Sequence, residues 1–273
     1  MLDIHEKYLK KMSNEIAIRG LSRQTRDSYV ANLREYFLFV GDPEKFEFER
    51  IKEFLSYKKA KNISGSTLNL YLSAIKYFYR HVMHIEPDIP LKFSKRPRKL
   101  PIVLTHGEIF RIAEEVSNFK HRTIILLAYG AGLRVSEVVN LKVQDIDFER
   151  GLIYICEGKG QKDRYTLLPK KLEYELKKIC YLKSRPDYVF ESVRGGKLSQ
   201  RTPQVVFKRA LHAAKLQKNA TFHSLRHSFA THMIENGVNL RFVQDLLGHV
   251  NVTTTMRYTH VSKASIQNLN SPL

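Results

Sequence analysis

Two arginines, a lysine, two histidines and a tyrosine stand in short clusters after the first hundred residues. The clusters lie at 131–137, 158–164, 223–227 and 247–249, and Tyr258 follows nine residues after His249. Arginine forks match the non-bridging oxygens of a phosphate and keep their charge. Paired guanidiniums can replace the Mg²⁺ that neutralises developing charge in most phosphoryl-transfer enzymes. The set therefore suits the transfer of a phosphodiester without a metal ion.

The other residue types complete that chemistry. A tyrosine with an ordinary pKa of about 10 becomes a nucleophile when a base takes its proton. Histidine is the natural base. A departing sugar alkoxide is strongly basic and needs an acid beside it, which a lysine can supply.

Each cluster alone also has an ordinary explanation. Arg134 and Glu137 stand at i, i+3 and would form a helix-surface ion pair worth roughly 0.2–0.5 kcal/mol. Lys159 lies between alternating segments, where an ordinary hairpin turn is expected, and it has no P-loop spacing. His249 after a glycine would cap a helix end, and Tyr258 would be a packed aromatic.

The histidine pair has a second interpretation as zinc ligands. His223 and His227 would lie one helical turn apart, which suits a metal. The glutamate of an HExxH motif is missing, however, and no further ligand accompanies the pair. We therefore predict neither a metal site nor a cofactor.

In their order, the clusters resemble the tyrosine recombinases, also called the phage-integrase family, and most of all its compact Xer-type members. The pattern Arg…Lys…His-x-x-Arg…His…Tyr matches throughout, within Ala-Gly-Leu-Arg-x-Ser-Glu, Leu-Arg-His-Ser-Phe-Ala-Thr and Leu-Gly-His…Tyr-Thr-His. The likeness covers nearly the whole chain. It implies a catalytic set, which comprises Arg134, Lys159, His223, Arg226, His249 and Tyr258.

The resemblance also implies how the phosphate is held. Arg134 and Arg226 would clamp the scissile phosphate, and His249 would hydrogen-bond one of its oxygens. Glu137, at the family's acidic position, would support Arg134 and His223 without touching the substrate.

The remaining implied roles concern bond making and breaking. Tyr258 would attack to give a 3′-phosphotyrosyl enzyme, with His223 as its general acid/base. Lys159 would protonate the 5′-oxygen leaving group. Such an intermediate conserves the phosphodiester energy, so rejoining would require neither ATP nor a metal.

The family pattern further implies a DNA clamp and an assembly. An N-terminal helical core-binding domain and a mixed α+β catalytic domain would surround duplex DNA at a recombination site. Four protomers on two sites would exchange strands through a Holliday junction, and a second recombinase or regulatory partner is left open. Chromosome or plasmid dimer resolution and integration or excision of a mobile element fit equally. The alternatives are a type IB topoisomerase-like relaxase and a non-catalytic DNA-binding architectural factor.

The composition points to a polyanionic partner independently of the motifs. The 273 residues carry 46 Lys plus Arg against 27 Asp plus Glu, a net charge of +19. Residues 1–100 contribute +8 and residues 101–273 contribute +11. Neutralised phosphates release counterions and steer association, so nucleic acid is the leading partner. An anionic membrane is second, and no apolar run approaches the roughly 18–20 residues that span a bilayer.

Periodicity predicts the elements that must position these residues. Helical spacing dominates residues 1–86, with N-caps at Ser22 and Ser64, and a capping box at Thr105 starts the helices of the second half. Alternation at 143–147, 152–156 and 164–168 predicts a small antiparallel sheet, and helices resume near Lys170. We therefore predict a mainly α fold with a small antiparallel β-sheet, in a two-domain DNA clamp of a helical bundle and a mixed α+β catalytic domain.

Residues 86–101 hold four prolines and five basic residues, which favours an extended linker. We place a helical DNA-binding domain at 1–90, a basic Pro-rich linker at 91–102 and a catalytic domain at 103–273. Basic residues between the apolar stripes of the first helices are either a solvated face or phosphate contacts, and the basic linker would cross a phosphate backbone or, as the weaker alternative, form a nuclear-localisation patch. These candidates are Arg23, Arg26, Lys58, Lys59, Lys61, Lys76, Arg80, Lys95, Arg96, Arg98, Lys99, Lys162 and Arg164.

The cysteines and the N-terminus bear on the compartment. Cys156 and Cys180 lack metal-ligand spacing, and we interpret both as core or strand residues. The first fifteen residues are charged throughout and show no apolar signal core. We expect a cytoplasmic, nucleoid-associated protein with no membrane partner.

Overall fold

A computed structural model describes residues 2–91, 100–156 and 163–248. The chain divides into two compact units, Met1–Arg98 and Lys99–Leu273. Each unit has its own hydrophobic core.

The first unit contains four helices within its described residues, and they begin where the sequence places caps. Ser22 and Ser64 accept hydrogen bonds from the backbone amides three residues on, as N-cap residues do. Gly41 ends the second helix at φ 82°, a conformation that favours glycine. The helices are α1 (Leu2–Ile18), α2 (Arg23–Val40), α3 (Phe48–Ala60) and α4 (Gly65–His81).

Aromatic rings fill the core of this unit. Phe78 of α4 is fully buried, and its ring centroid lies 4.9 Å from Phe37 and 5.7 Å from Tyr8. Tyr36 and Tyr79 are also buried, and their hydroxyls share a hydrogen bond of 3.1 Å. Edge-on ring packing of this kind adds to the stabilisation from burial alone.

The second unit begins with the predicted capping box. The Thr105 hydroxyl accepts from the Glu108 amide, and the Glu108 carboxylate accepts from the Thr105 amide. The elements that follow are α5 (His106–Glu114), α6 (Phe119–Gly130), α7 (Val135–Asn140), β1 (Ile146–Asp147), β2 (Leu152–Ile155), β3 (Arg164–Leu167), α8 (Glu173–Cys180), α9 (Arg201–Ala213), α10 (Phe222–Glu235) and α11 (Leu240–Leu247).

Helix α6 lies at the centre of the second unit. Ile124, Ile125, Leu127 and Ala128 are fully buried and belong to one continuous core. The sequence predicts this burial, because its apolar run is too long for a strand and shows no polar face. The run ends at Gly130, from which the chain turns toward Arg134.

The three strands form an antiparallel sheet in the order β1-β2-β3. Ile155 lies opposite Arg164 in the register, so the connection from β2 to β3 is the segment that carries Lys159. Two expectations are corrected here. Val143–Asp145 forms a 3-10 turn instead of a strand, because the Asp145 carboxylate accepts from the Lys142 amide. Cys156 follows β2 and is exposed, whereas Cys180 is buried as predicted.

The prediction of a mainly helical fold with a small antiparallel sheet is confirmed. Within the described ranges, the helices are all too short or too polar to cross a bilayer.

We expect Phe78→Ala to lower the free energy of unfolding of the first unit by about 3–5 kcal/mol, because it leaves a large cavity among packed rings. Urea titration of the full chain by circular dichroism measures the change. Leu38→Ala is the control, since Leu38 is 63% exposed and its truncation should change stability by less than about 0.5 kcal/mol. Equal effects of the two substitutions would contradict the assigned core.

Candidate active site

The carboxylate of Glu137 is the meeting point of three arginines. Its side chain is only 7% exposed. Arg134 Nη1 lies 2.5 Å from Oε1, Arg164 Nη2 lies 2.9 Å from Oε2, and Arg226 Nη1 lies 3.6 Å from Oε2. Three guanidiniums from three parts of the chain are thus oriented by one buried anion.

Arg134 is held at the N-terminal end of α7. Its backbone amide donates to Glu137 Oε2 at 2.7 Å, so the same carboxylate that binds the guanidinium also caps the helix. The Arg134 side chain keeps 27% of its surface exposed. This arginine therefore remains accessible to an anion while its orientation is fixed.

Arg226 is buried at 1% exposure on α10. Its Nη1 donates to the Gly132 carbonyl at 2.8 Å, and its Nη2 donates to the Leu247 carbonyl. Arg226 thereby ties the turn before Arg134 to the end of α11. A buried guanidinium is tolerated here because carbonyls and a carboxylate surround it.

Arg164 requires a correction. It is one of the predicted phosphate contacts, but its side chain is 6% exposed. Besides Glu137, its Nε donates to the Leu246 carbonyl at 2.8 Å. A guanidinium buried between a carboxylate and a carbonyl does not fit a surface contact with DNA.

Two glycines let these segments approach closely. Gly132 has φ +64°, and a Cβ there would lie 2.5 Å from the Phe229 ring. Gly248 also has φ +64°, and a Cβ there would lie 2.9 Å from Arg164 Cδ. Any side chain at either position would displace the turns that carry Arg134 or lead to His249.

His223 stands in the first turn of α10. Its pKa is lowered from 6.5, first because neighbouring atoms exclude water from the ring and second because Arg226 and Arg134 are positively charged. Glu137 acts in the opposite direction. His223 is therefore neutral at neutral pH and able to accept a proton. The His227 ring packs edge-on against it at 4.4 Å.

A polar cleft of about 540 Å³ opens beside Arg134. Its walls come from α7, the turn that follows it and strand β2. They are formed by Arg134, Ser136, Glu137, Asn140, Leu141, Lys142, Gln144, Asp145, Tyr154, Ile155 and Cys156. Of the candidate site residues, Arg134 and Glu137 line this cleft.

The structure thus brings together Arg134, Glu137, His223 and Arg226 from the predicted set. The other predicted positions lie outside the described residues. They are Lys159, Lys162, His249 and Tyr258, with Lys95, Arg96, Arg98 and Lys99 of the predicted linker.

The basic candidates of the first unit fall into two groups. Lys59 and Lys61 are exposed, and Arg23 is 86% exposed with Asp27 at 3.9 Å. Arg26 also pairs with Asp27, and Arg80 pairs with Glu86.

The second group is engaged inside the unit. Lys58 is 12% exposed, pairs with Glu35 and lies 5.1 Å from the Tyr71 ring centroid, so it too does not fit the predicted phosphate contact. Lys76 donates to the Ile89 carbonyl at 3.0 Å.

Sequence reasoning missed two supporting groups. Thr166 is fully buried, and its hydroxyl donates to the Ala131 carbonyl at 2.8 Å. Ser228 of α10 accepts from the Leu104 amide at 2.9 Å. The alternation along β3 could have identified Thr166. Side chains at every second residue of a strand point to the same face, so Arg164 and Thr166 face the core together with the apolar Leu168.

A carboxylate orients Arg134 and Arg226 near His223, on a helical unit with a small sheet, as the motif order of a tyrosine recombinase leads one to expect. The family models agree. Residues 103–265 match the phage integrase family, and residues 8–88 match the phage integrase N-terminal SAM-like domain. The chain belongs to the phage integrase family of tyrosine recombinases.

Individual relatives are similar along nearly the full length. Tyrosine recombinase XerA of Thermococcus kodakarensis is 38% identical over 262 residues, which cover 93% of this chain and 90% of that protein. The crystal structure of XerA recombinase matches with a TM-score of 0.56 at 28% identity over 96% of both chains. A lambda integrase tetramer bound to a Holliday junction has the same fold, with a TM-score of 0.75 at 22% identity over 93% of this chain and 76% of that one.

We expect Glu137→Gln to lower the free energy of unfolding by about 3–5 kcal/mol, because it leaves buried guanidiniums without their anion. Thermal and urea unfolding of the full chain measure the loss. Glu173→Gln is the matched control, since Glu173 pairs with Lys177 at an exposed position and should contribute at most about 1 kcal/mol. A Glu137 variant as stable as the control would contradict the role of the buried carboxylate.

Proposed function

We propose that this protein is a site-specific recombinase that cleaves and rejoins duplex DNA through a 3′-phosphotyrosyl intermediate and a Holliday junction. The observation that carries the proposal is the single carboxylate, Glu137, that orients the guanidiniums of Arg134 and Arg226, with Arg134 in the wall of a polar cleft. Arg134, with 27% of its side chain exposed, would contact the phosphate directly, and the charge of the buried Arg226 would act beside it.

Cleavage would begin with the tyrosine. The Tyr258 oxygen forms a bond to the scissile phosphorus while the bond from phosphorus to the 5′-oxygen breaks. His223 takes the tyrosine proton, which its lowered pKa allows at neutral pH. Lys159 gives a proton to the departing 5′-oxygen, so the products are a 3′-phosphotyrosine and a 5′-hydroxyl.

The arginines would act on charge. The two non-bridging oxygens of the phosphate share one negative charge and gain more as the tyrosine attacks, and Arg134 and Arg226 neutralise it. His249 adds a hydrogen bond to the same group. Glu137 touches no substrate in this scheme and acts by orienting Arg134 and Arg226.

Rejoining would be the reverse reaction with a different strand. A 5′-hydroxyl from the partner duplex gives its proton to Lys159 and attacks the phosphorus, while the bond to the Tyr258 oxygen breaks and that oxygen takes its proton back from His223. One phosphodiester is broken and one is formed, so the sequence of steps needs no ATP. Since guanidiniums supply the positive charge, we also propose that it needs no metal ion.

The assembly would be the four-protomer synapse of the family. Support comes from the lambda integrase tetramer on a Holliday junction, whose fold this chain shares. The net charge of +19 suits two units that enclose duplex DNA, with Lys59, Lys61 and Arg23 as exposed phosphate contacts of the first unit.

The cellular task follows from the same proposal. Similarity to XerA favours an Xer-like role, in dimer resolution or in integration and excision of an element. A second recombinase or a regulatory partner would set the order of strand exchange. A protein that acts on chromosomal or plasmid DNA would work in the cytoplasm at the nucleoid.

The nucleophile is tested with a suicide DNA substrate that carries the bound site, selected from random DNA, with a nick beside the cleavage point. The wild type should form a covalent protein–DNA adduct, and Tyr258→Phe should form none, because the phenyl ring lacks the attacking oxygen. Denaturing gels measure the adduct. Adduct that survives the substitution would contradict the assignment of Tyr258.

A plasmid with two such sites separates recombination from relaxation in the same preparation. A recombinase yields resolution products, whereas a topoisomerase-like relaxase yields only relaxed circles. Tyr258→Phe should yield neither and still bind DNA.

Metal removal gives a further prediction. Cleavage of the suicide substrate should proceed at an unchanged rate in excess EDTA, because Arg134 and Arg226 supply the charge that a metal would otherwise supply. Adding Mg²⁺ back in excess over the chelator is the control. A cleavage rate that collapses in EDTA and returns with Mg²⁺ would overturn the two-arginine clamp.

A further inference from the structure

Arg164 is a buried charged residue that the proposed reaction does not use. It begins β3, five residues after Lys159, and its side chain is 6% exposed. Its Nη2 lies 2.9 Å from Glu137 Oε2 and its Nε lies 2.8 Å from the Leu246 carbonyl. One guanidinium therefore bridges the acidic group under Arg134 and the last turn of α11.

The contact with α11 is reinforced by close packing. Gly248 adopts φ +64° at the end of α11, and a Cβ there would lie 2.9 Å from Arg164 Cδ and 3.2 Å from its Nη1. The glycine backbone thus rests directly against the arginine side chain. His249 is the next residue in the sequence.

The strand that carries Arg164 is itself fixed to the turn before Arg134. Two residues along β3, the buried Thr166 hydroxyl donates to the Ala131 carbonyl at 2.8 Å. Arg164 and Thr166 occupy the inward-facing positions of the strand. Strand β3 is therefore tied at one end to the segment that leads to Arg134 and at the other to the turn that leads to His249.

We propose that Arg164 is a positioning residue, which holds the Leu246–Gly248 turn at a fixed distance from the Arg134–Glu137 pair. His249 is the next residue in the sequence, so Arg164 would act on strand cleavage through the residue to which this turn leads. The inference rests on the proposed function, because it assigns Arg164 to the same strand-cleavage reaction. It assigns no contact between Arg164 and DNA.

Arginine suits this position better than lysine. Its planar fork presents donors to acceptors on two different elements, here a carboxylate and a backbone carbonyl. A lysine ammonium keeps the charge beside Glu137 but offers no second donor at the guanidinium's spacing. Arg164→Lys therefore keeps the positive charge beside Glu137 and removes the hydrogen bond that reaches the second element.

The first arm measures single-turnover cleavage of the suicide substrate by the full chain, with DNA affinity measured separately. A misplacement of about 1 Å can cost about 100-fold in rate, so we expect Arg164→Lys and Arg164→Gln to slow cleavage by roughly that factor. DNA affinity should stay within about threefold, because Arg164 makes no phosphate contact. Arg150→Gln, at an 80% exposed arginine between β1 and β2, is the matched control and should cleave at the wild-type rate.

The second arm asks whether Arg164 acts through His249. In a His249→Ala background, Arg164→Gln should slow cleavage by less than about threefold further, because the group that it positions is already gone. If the double variant instead loses cleavage rate by the product of the two single-variant factors, the proposal is overturned. In a Lys159→Ala background, by contrast, the full loss should remain.

The third arm does not depend on catalysis. Hydrogen–deuterium exchange of the backbone amides at 246–248 should be faster in Arg164→Lys than in the wild type or in Arg150→Gln, while exchange in α4 stays unchanged. Unchanged exchange at 246–248, or wild-type cleavage by Arg164→Lys, would also overturn the proposal. The two proposals fail in different ways. A wild-type protein that forms no adduct would contradict the proposed function, whereas an active wild type with an equally active Arg164 variant would contradict only the role of Arg164.

Discussion

The active-site half of this protein depends on one buried carboxylate. Removing Glu137 and its arginine partners from water is costly, and the cost is offset only when their hydrogen bonds are made together. The partners come from α7, β3 and α10, and Arg164 and Arg226 extend the network to the carbonyls that end α11. One anion thereby makes the positions of four elements depend on one another. In this network, Arg134 keeps an exposed face while Arg164 and Arg226 are buried.

The buried carboxylate explains how a very basic chain can hold three arginines close together. Three guanidiniums close together would repel one another, and the shared carboxylate makes their grouping stable. The pKa of His223 is lowered first because water is excluded from its ring, and the positive charges of Arg226 and Arg134 lower it further. Charge elsewhere on the chain has a different character. Lys59 and Lys61 are exposed, and their contribution to DNA affinity is expected to be independent of sequence.

Much of the fold is predictable from local signals. The side chains of Ser22, Ser64 and Thr105 each accept a hydrogen bond from the backbone amide three residues on, so these helix starts depend only on neighbouring residues and can be predicted from the sequence. The motif order likewise predicts that Arg134, Glu137, His223 and Arg226 belong to one site. The errors arise where a distant partner decides the outcome. The sequence around Arg164 predicts a surface charge, but the side chain is buried against Glu137, which lies 27 residues away. Lys58 is likewise predicted to be a surface charge, but it pairs with Glu35. The error at Val143–Asp145 is of another kind, because a local contact decides it: the segment alternates like a strand, but the Asp145 carboxylate accepts from the Lys142 amide and closes a turn.

The central claim is that Glu137 aims a guanidinium charge at one phosphate, and chemical neutralisation of that phosphate tests it most directly. A DNA substrate is made with a methylphosphonate at the scissile position, which removes one negative oxygen from the group that Arg134 would neutralise. Arg134→Ala should fail to form the covalent adduct on ordinary DNA and should recover adduct formation on the methylphosphonate, because the charge that required the arginine is gone. An Arg134→Ala variant that cleaves ordinary DNA at the wild-type rate, or that gains nothing from the neutral phosphate while the wild type remains active, would contradict the account.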